Sequence, residues 1–304
     1  MKAFLISVKR NTKLFFKDKG LFFTSLITPL ILLVLYATFL ANVYEDSYLS
    51  IFAQFNTAVD QKVINGLVGG QLTSSLLAVS CVTVSLCSNM LMVQDKITGA
   101  NKDFLITPVK RSTLALGYFV STFMVTMIIA LVAVTASFIY VACIGWFLTF
   151  TDVILLFVDV TILVAFGTAL SSVINYFLSS QGQISAVGSI VSSCYGFICG
   201  AYMPLSSFSQ GLRDVVMFLP GTYGTSLMRN HALNGALSAL PSELPEQAVT
   251  TIRDAFDCNL YFFNEQVSQG VSYLIICLTV VLLIGLYVLI NVIASKKKAF
   301  KRSK

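Results

Sequence analysis

Charge is scarce in this chain. Only 11% of its 304 residues are Asp, Glu, Lys or Arg, against 56% hydrophobic residues. A soluble globular protein carries about 25% charged residues. With a mean hydropathy of +0.83, the sequence excludes a soluble domain and specifies a polytopic membrane protein. Several kinds of chemistry are also missing. No GxxxxGK[ST] segment occurs, so the chain has no P-loop of its own. No HExxH and no paired CxxC occurs, and no metal site is expected. The single histidine, His231, is expected to be a solvated or helix-end residue rather than a ligand. No Ser/His/Asp arrangement stands out, and the chain is not expected to be an enzyme. Seven cysteines, an odd number scattered mostly through apolar runs, do not make a disulfide framework. They read as small buried hydrophobes.

What is present is a series of long uncharged runs. A helical span needs roughly 20 mostly apolar residues. On that basis six spans are expected near 21–42, 67–93, 114–142, 153–177, 183–203 and 271–293, giving an all-α membrane protein of one domain over 1–304. The fourth and fifth are divided at the polar turn Asn175–Gln183. Six basic residues in the first 19 leave no apolar segment before Leu21, so no cleavable signal peptide is expected. Instead Phe4, Leu5, Val8, Thr12, Phe15 and Phe16 share one helical face and Lys2, Lys9, Arg10, Lys13 and Lys17 the other. Residues 1–19 therefore read as an interfacial helix, with an ordinary topology-setting tail as the alternative.

Orientation follows from the basic residues. The N-terminal segment, the block 94–111 and the C-terminal tail hold 16 of the 20 Lys and Arg. The other side holds ten acidic residues, among them Glu45, Asp46, Glu243 and Glu246. The positive-inside rule then places both termini and the block in the cytoplasm. The net charge of +6 sits at membrane edges and does not imply nucleic acid.

The block Gln94–Arg111 carries Asp95, Lys96, Lys102, Asp103, Lys110 and Arg111 around an apolar patch, Phe104-Leu105-Ile106. Pro108 disfavours a helical conformation at Thr107, so a short helix is expected to stop there. Inside the bundle, Gln71, Ser74, Ser75, Ser85 and Asn89 fall near one face of the second span. Gly188, Ser192, Gly196 and Gly200 recur at four-residue steps in the fifth, a spacing that lets helix backbones approach closely. These faces are expected either to pack within one chain or to meet at a subunit interface and line a translocation path. Asp159 is the one ionisable residue well inside an expected span and is a functional candidate on that ground. The alternative is that it sits near the membrane interface or faces the bundle beside a hydroxyl. The outer segment 204–270 opens with Leu205, Phe208, Leu212, Val215, Val216 and Leu219 at helical spacing. It is expected as a short amphipathic helix, followed by a more soluble stretch.

The chain resembles the permease subunit of ABC-2 type exporters over nearly its whole length. The most specific match is in the block, where Asp95, Lys96, Gly99, Leu105, Thr107, Pro108, Val109 and Arg111 fit an acidic–basic pair, a Gly and then L-x-x-[ST]-P-V-x-R. A second match is GAYMPLSSFSQGLRDVVMFLPGTYG. The sequence departs from many members at Ala100-Asn101-Lys102, where they have Thr-Leu-Glu. The resemblance implies that 94–111 is a coupling helix seated in a separate cytoplasmic ATPase. It also implies that ATP and Mg are bound by that partner rather than by this chain, and that a second copy or a homologous permease completes the exporter in a bacterial cell membrane. Asp95, Lys96, Gly99, Phe104, Leu105, Ile106, Thr107, Pro108 and Arg111 are the expected coupling residues. The resemblance implies outward movement (efflux), and a largely neutral interior suggests an amphipathic small molecule, toxin or lipid-like cargo. The rival reading is a self-contained, ion-coupled secondary transporter or channel working through Asp159.

Overall fold

The computed structural model describes residues 2–100, 109–242, 244–263 and 265–302, the last eight of these by backbone alone. Helix α1 (Lys2–Lys17) is followed at once by α2 (Lys19–Leu35), because Asp18 accepts a hydrogen bond from Leu21 N at 3.1 Å and caps the new helix. A five-residue π-helical segment, Tyr36–Leu40, joins α2 to α3 (Ala41–Gln54). Then come α4 (Gln61–Ser88), α5 (Met90–Ile97), α6 (Arg111–Ile144), α7 (Phe150–Phe177) and α8 (Gln181–Ile198). After a short 3-10 turn, Leu205–Ser207, follow α9 (Gln210–Val216), α10 (Pro220–Ser238) and α11 (Glu246–Ala255). A small antiparallel hairpin pairs β1 (Leu260–Phe262) with β2 (Glu265–Val267), Tyr261 opposite Gln266. The last helix is α12 (Gln269–Arg302).

Among the described residues five helical stretches are long and apolar enough to cross a membrane: Lys19–Gln54, Gln61–Ile97, Arg111–Ile144, Phe150–Phe177 and Gln269–Ala294. The segment expected as a span over 183–203 forms α8, which ends at Ile198. Its 18 residues reach ~27 Å at 1.5 Å per residue, slightly less than the hydrocarbon core of a bilayer. It stops because Gly200 takes a left-handed φ of 73°, and the carbonyl of Gly196 accepts from Ala201 N and Tyr202 N. That is the C-terminal wrap glycine permits.

Helix α4 is the axis of the bundle. It packs against α2, α6, α7 and α10, and 24 of its 28 residues are buried. Leu67, Leu72 and Leu77 of α4 meet Val160 and Leu163 of α7 and Met228 and Leu233 of α10 in one core. Contact with α7 is close because Gly167 has no side chain. A Cβ there would stand 2.9 Å from Val82 Cα and 3.0 Å from the Cys81 carbonyl.

The outer segment differs from the expectation in two respects. Residues 220–238 do not lie on the surface: α10 folds back into the bundle with 15 of its 19 residues buried. The amphipathic helix expected at 205–219 is shorter. Leu205 and Val216 are buried, while Leu212, Val215 and Leu219 remain exposed. Helix α1 also turns a different face to the protein. Ser7, Val8, Asn11 and Phe15 are buried, whereas Leu5, Ile6 and Phe16 are exposed.

Candidate functional site

At the basic end, three elements meet on one carboxylate. Asp95, on the last turn of α5, accepts from Arg10 Nη1 at 2.7 Å and Nη2 at 3.0 Å, and from the Tyr118 hydroxyl. Arg10 comes from α1 and Tyr118 from α6, so the cluster joins the interfacial helix, the root of the 94–111 block and the helix that follows it. Asp95 is buried. Arg10, expected on the polar face of α1, points inward. Hydrogen bonding to Asp95 raises its guanidinium pKa, outweighing the burial that opposes the charge.

Lys96 is also turned inward. Its Nζ donates to the carbonyls of Asn175, Tyr176 and Leu178 at 2.9, 2.7 and 3.2 Å. These carbonyls lie at the C-terminal end of α7, where the Asn175 carbonyl also accepts from Leu178 N and a cation is favoured by the helix dipole. The span helix continues through Ile97 rather than ending at 93, which is why both charges face neighbouring helices. They brace the root of the block. Gly99 turns the chain with φ 83° and open space around it. Phe104, Leu105, Ile106, Thr107 and Pro108 lie outside the described residues. Arg111 opens α6.

The polar stripe of α4 is enclosed by the chain's own helices. Gln71, Ser74, Ser75, Ser85 and Asn89 are all buried. Asn89 Nδ2 donates to Ser171 Oγ and Ser172 Oγ of α7, both at 3.0 Å, and Asn89 Oδ1 accepts from Thr122 of α6 at 3.3 Å. Ser85 and Thr168 hydroxyls lie 3.4 Å apart, Ser74 bonds back to the Gln71 carbonyl, and Ser75 accepts from Arg229. The glycine row of α8 also faces inward. A Cβ on Gly188 would stand 3.1 Å from Met90 Cε, and one on Gly196 would collide with the Tyr202 ring at 2.3 Å. Ser192 lends its carbonyl to the Tyr202 hydroxyl, and Gly200 makes the turn. The exposed face of α8 is a different one: Ser185, Ser189, Ser193 and Cys194, with Ile190 and Phe197.

At the acidic end, Asp159 of α7 is fully engaged. His231 Nδ1 of α10 lies 2.6 Å from its Oδ2, and the Tyr273 hydroxyl of α12 donates to its Oδ1. His231 is therefore neither solvated nor at a helix end, contrary to expectation. Two turns earlier on α7, Asp152 closes a capping box with Thr149 and accepts from Asn234 Nδ2 at 2.9 Å. Arg229, 1% exposed, donates to Asp257 Oδ2 at 2.9 Å and to the Gly200 carbonyl. Sequence reading missed this use of α10, because its Arg, Asn and His residues mimic a soluble segment. The available signal was Asp159, an acid that requires a buried partner.

The model of the ABC-2 type transporter family matches residues 2–232. The chain belongs to that family. As an ABC-2 membrane protein it is a permease of an ABC-type transporter, multi-pass in the bilayer and not itself a member of a catalytic family. The matched stretch takes in the Arg10–Asp95–Tyr118 cluster, the 94–111 block, all of α8 and the first two-thirds of α10. No curated relative and no solved structure matches this ABC-2 permease.

Proposed function

We propose that this ABC-2 permease is the membrane half of an exporter whose energy comes from a separate cytoplasmic ATPase, which binds the ATP and Mg. The observation that supports the coupling is the Arg10–Asp95–Tyr118 cluster. Through it, the root of the 94–111 block, α1 and α6 form one mechanical unit. A push on the block is then carried into the bundle as a rigid-body movement. Phe104, Leu105 and Ile106 supply the apolar contact to the ATPase, with Thr107-Pro108 ending the coupling helix. Asp95 and Lys96 contribute by holding its root rather than by touching the partner. The basic termini and the block face the cytoplasm of a bacterial cell by the positive-inside rule.

Two permeases, either two copies of this chain or this chain and a homologue, enclose the path. Because α4 is enclosed, the face of α8 carrying Ser185, Ser189 and Ser193 is the better candidate for the lining. Its mixture of hydroxyls with Ile190 and Phe197 suits an amphipathic small molecule, toxin or lipid-like cargo moved outward. The rival, an ion-coupled carrier working through Asp159, is disfavoured because both oxygens of Asp159 are occupied by partners that tie three helices together.

The test is co-expression of the permease with an ATPase that co-purifies with it, followed by transport into inside-out vesicles. Phe104→Asp combined with Leu105→Asp is expected to abolish ATP-dependent uptake and ATPase retention, while Asp159→Asn leaves ATP dependence in place. Retained uptake and binding in the double variant would remove the coupling role. Ion-driven flux without any ATPase, lost in Asp159→Asn, would establish the rival.

A further inference from the structure

A cleft of about 300 Å³ opens at the basic end between α5, α6, the end of α7 and α12. Two cations line it, Lys96 and Arg111, together with the rings of Tyr118, Tyr176 and Tyr287. No Asp or Glu lines it among the described residues. Asp95, just behind Tyr118, is already neutralised by Arg10.

The two cations play different parts. Lys96 gives its three N–H donors to the α7 carbonyls and stands 5.3 Å from the Tyr176 ring centroid. It contributes a fixed positive charge but no free donor. Arg111 is half-buried in the first turn of α6, and its guanidinium makes no hydrogen bond or ion pair with any described residue. Its guanidinium has five donors in a planar fork that matches two oxygens of a phosphate. The rest of the wall is largely apolar, with Leu114 and Phe177 among the contributors.

We propose that this cleft binds a phosphate group, with Arg111 as the bidentate donor and Lys96 as the charge beside it. An anionic phospholipid headgroup and a free phosphate share that chemistry. The position favours the lipid, because cationic pockets between spans on the cytoplasmic side suit anionic headgroups, and the apolar wall would receive the glycerol and first methylenes. The inner-leaflet placement rests on the orientation proposed above; the anion site itself does not.

The full chain, without any ATPase, is placed in nanodiscs of phosphatidylcholine, with or without phosphatidylglycerol, and in phosphatidylcholine with inorganic phosphate. Bound lipid is read by native mass spectrometry, and phosphate binding by thermal stabilisation. Wild type is expected to retain phosphatidylglycerol over phosphatidylcholine. Arg111→Gln is expected to bind it about tenfold more weakly, the equivalent of one charge-assisted bidentate pair. Asn291→Phe keeps both cations but fills the cleft, and is expected to lose the lipid as well, so the test stands even if Arg111→Gln fails to fold. Stabilisation of wild type by inorganic phosphate alone, lost in both variants, would assign the same site to a soluble phosphate compound. Equal retention of phosphatidylglycerol by wild type and Asn291→Phe, or by wild type and folded Arg111→Gln, would overturn the proposal. So would the absence of any preference for either anion in wild type.

Discussion

Arg10 and Asp95, 85 residues apart in the chain, are joined by two hydrogen bonds at 2.7 and 3.0 Å. The partners are unequally buried: the Arg10 side chain is 29% exposed and that of Asp95 8%. Their loss is therefore unequal too. Arg10→Ala leaves a buried carboxylate with only Tyr118 as donor and is expected to cost ~2–4 kcal/mol. Asp95→Ala leaves an arginine that can turn to water and is expected to cost about 1 kcal/mol. Chemical unfolding in mild detergent, followed through tryptophan or tyrosine emission, checks the order. Equal losses would mean that Asp95 is better solvated than its surroundings indicate.

Arg229 holds Asp257, the Gly200 carbonyl and Ser75 together at the acidic end. Arg229→Ala strands Asp257 in the core and is expected to destabilise by ~3–5 kcal/mol. Arg229→Lys is expected to recover less than half, since a single ammonium cannot span those partners. Cys258, buried beside Asp257, is the reporter. In a protein keeping only that cysteine, maleimide labelling is expected to be slow while Arg229 is present and fast once Arg229→Ala is added. Slow labelling in both would show that the outer layer does not depend on this ion pair.

Gly167→Leu forces a side chain against the α4 backbone at Val82 and Cys81. Overpacking of this kind costs ~1–3 kcal/mol and here separates the two helices that carry Asn89, Ser171 and Ser172. A lower midpoint in thermal unfolding is expected. Gly182→Leu, with open space around it, is the control and is expected to leave the midpoint unchanged.

Cys194 is exposed on α8, on the side of Ile190 and Phe197 that adjoins the serine row. With two copies pairing along that face, a variant retaining Cys194 alone is expected to form a covalent dimer on mild oxidation, which requires Cα atoms within about 7 Å. Failure to cross-link there, with cross-linking from a cysteine placed on the exposed face of α2, would move the interface to the first span.

Much of the membrane architecture was legible because long apolar runs admit few alternatives. The second, third, fourth and last spans have helices where the hydropathy places them. The function of individual charges was less legible. Asp95 and Lys96 look like outward-facing residues of a charged block, but a sequence pattern records that a charge is present and not which way its helix has turned. The stripe from Gln71 to Asn89 has the same spacing whether it joins helices of one chain or lines a path between two. Helix α10 was hidden for a related reason. Its Arg229 and His231 are stabilised by Asp257 and Asp159, partners that lie 28 and 72 residues away and leave no local periodicity.

The clasp on Asp159 also imposes an order on synthesis. A ribosome completes α7 long before it reaches His231 or Tyr273, 72 and 114 residues later. The nascent span must therefore enter the bilayer with its carboxylate unsatisfied. On insertion scales an acid at a helix centre costs ~2.5–3.5 kcal/mol, and α7 outweighs this with the leucines, valines and phenylalanines that flank the site. Every truncated product that ends before α10 holds that acid without either partner, and one that ends between α10 and α12 has His231 alone.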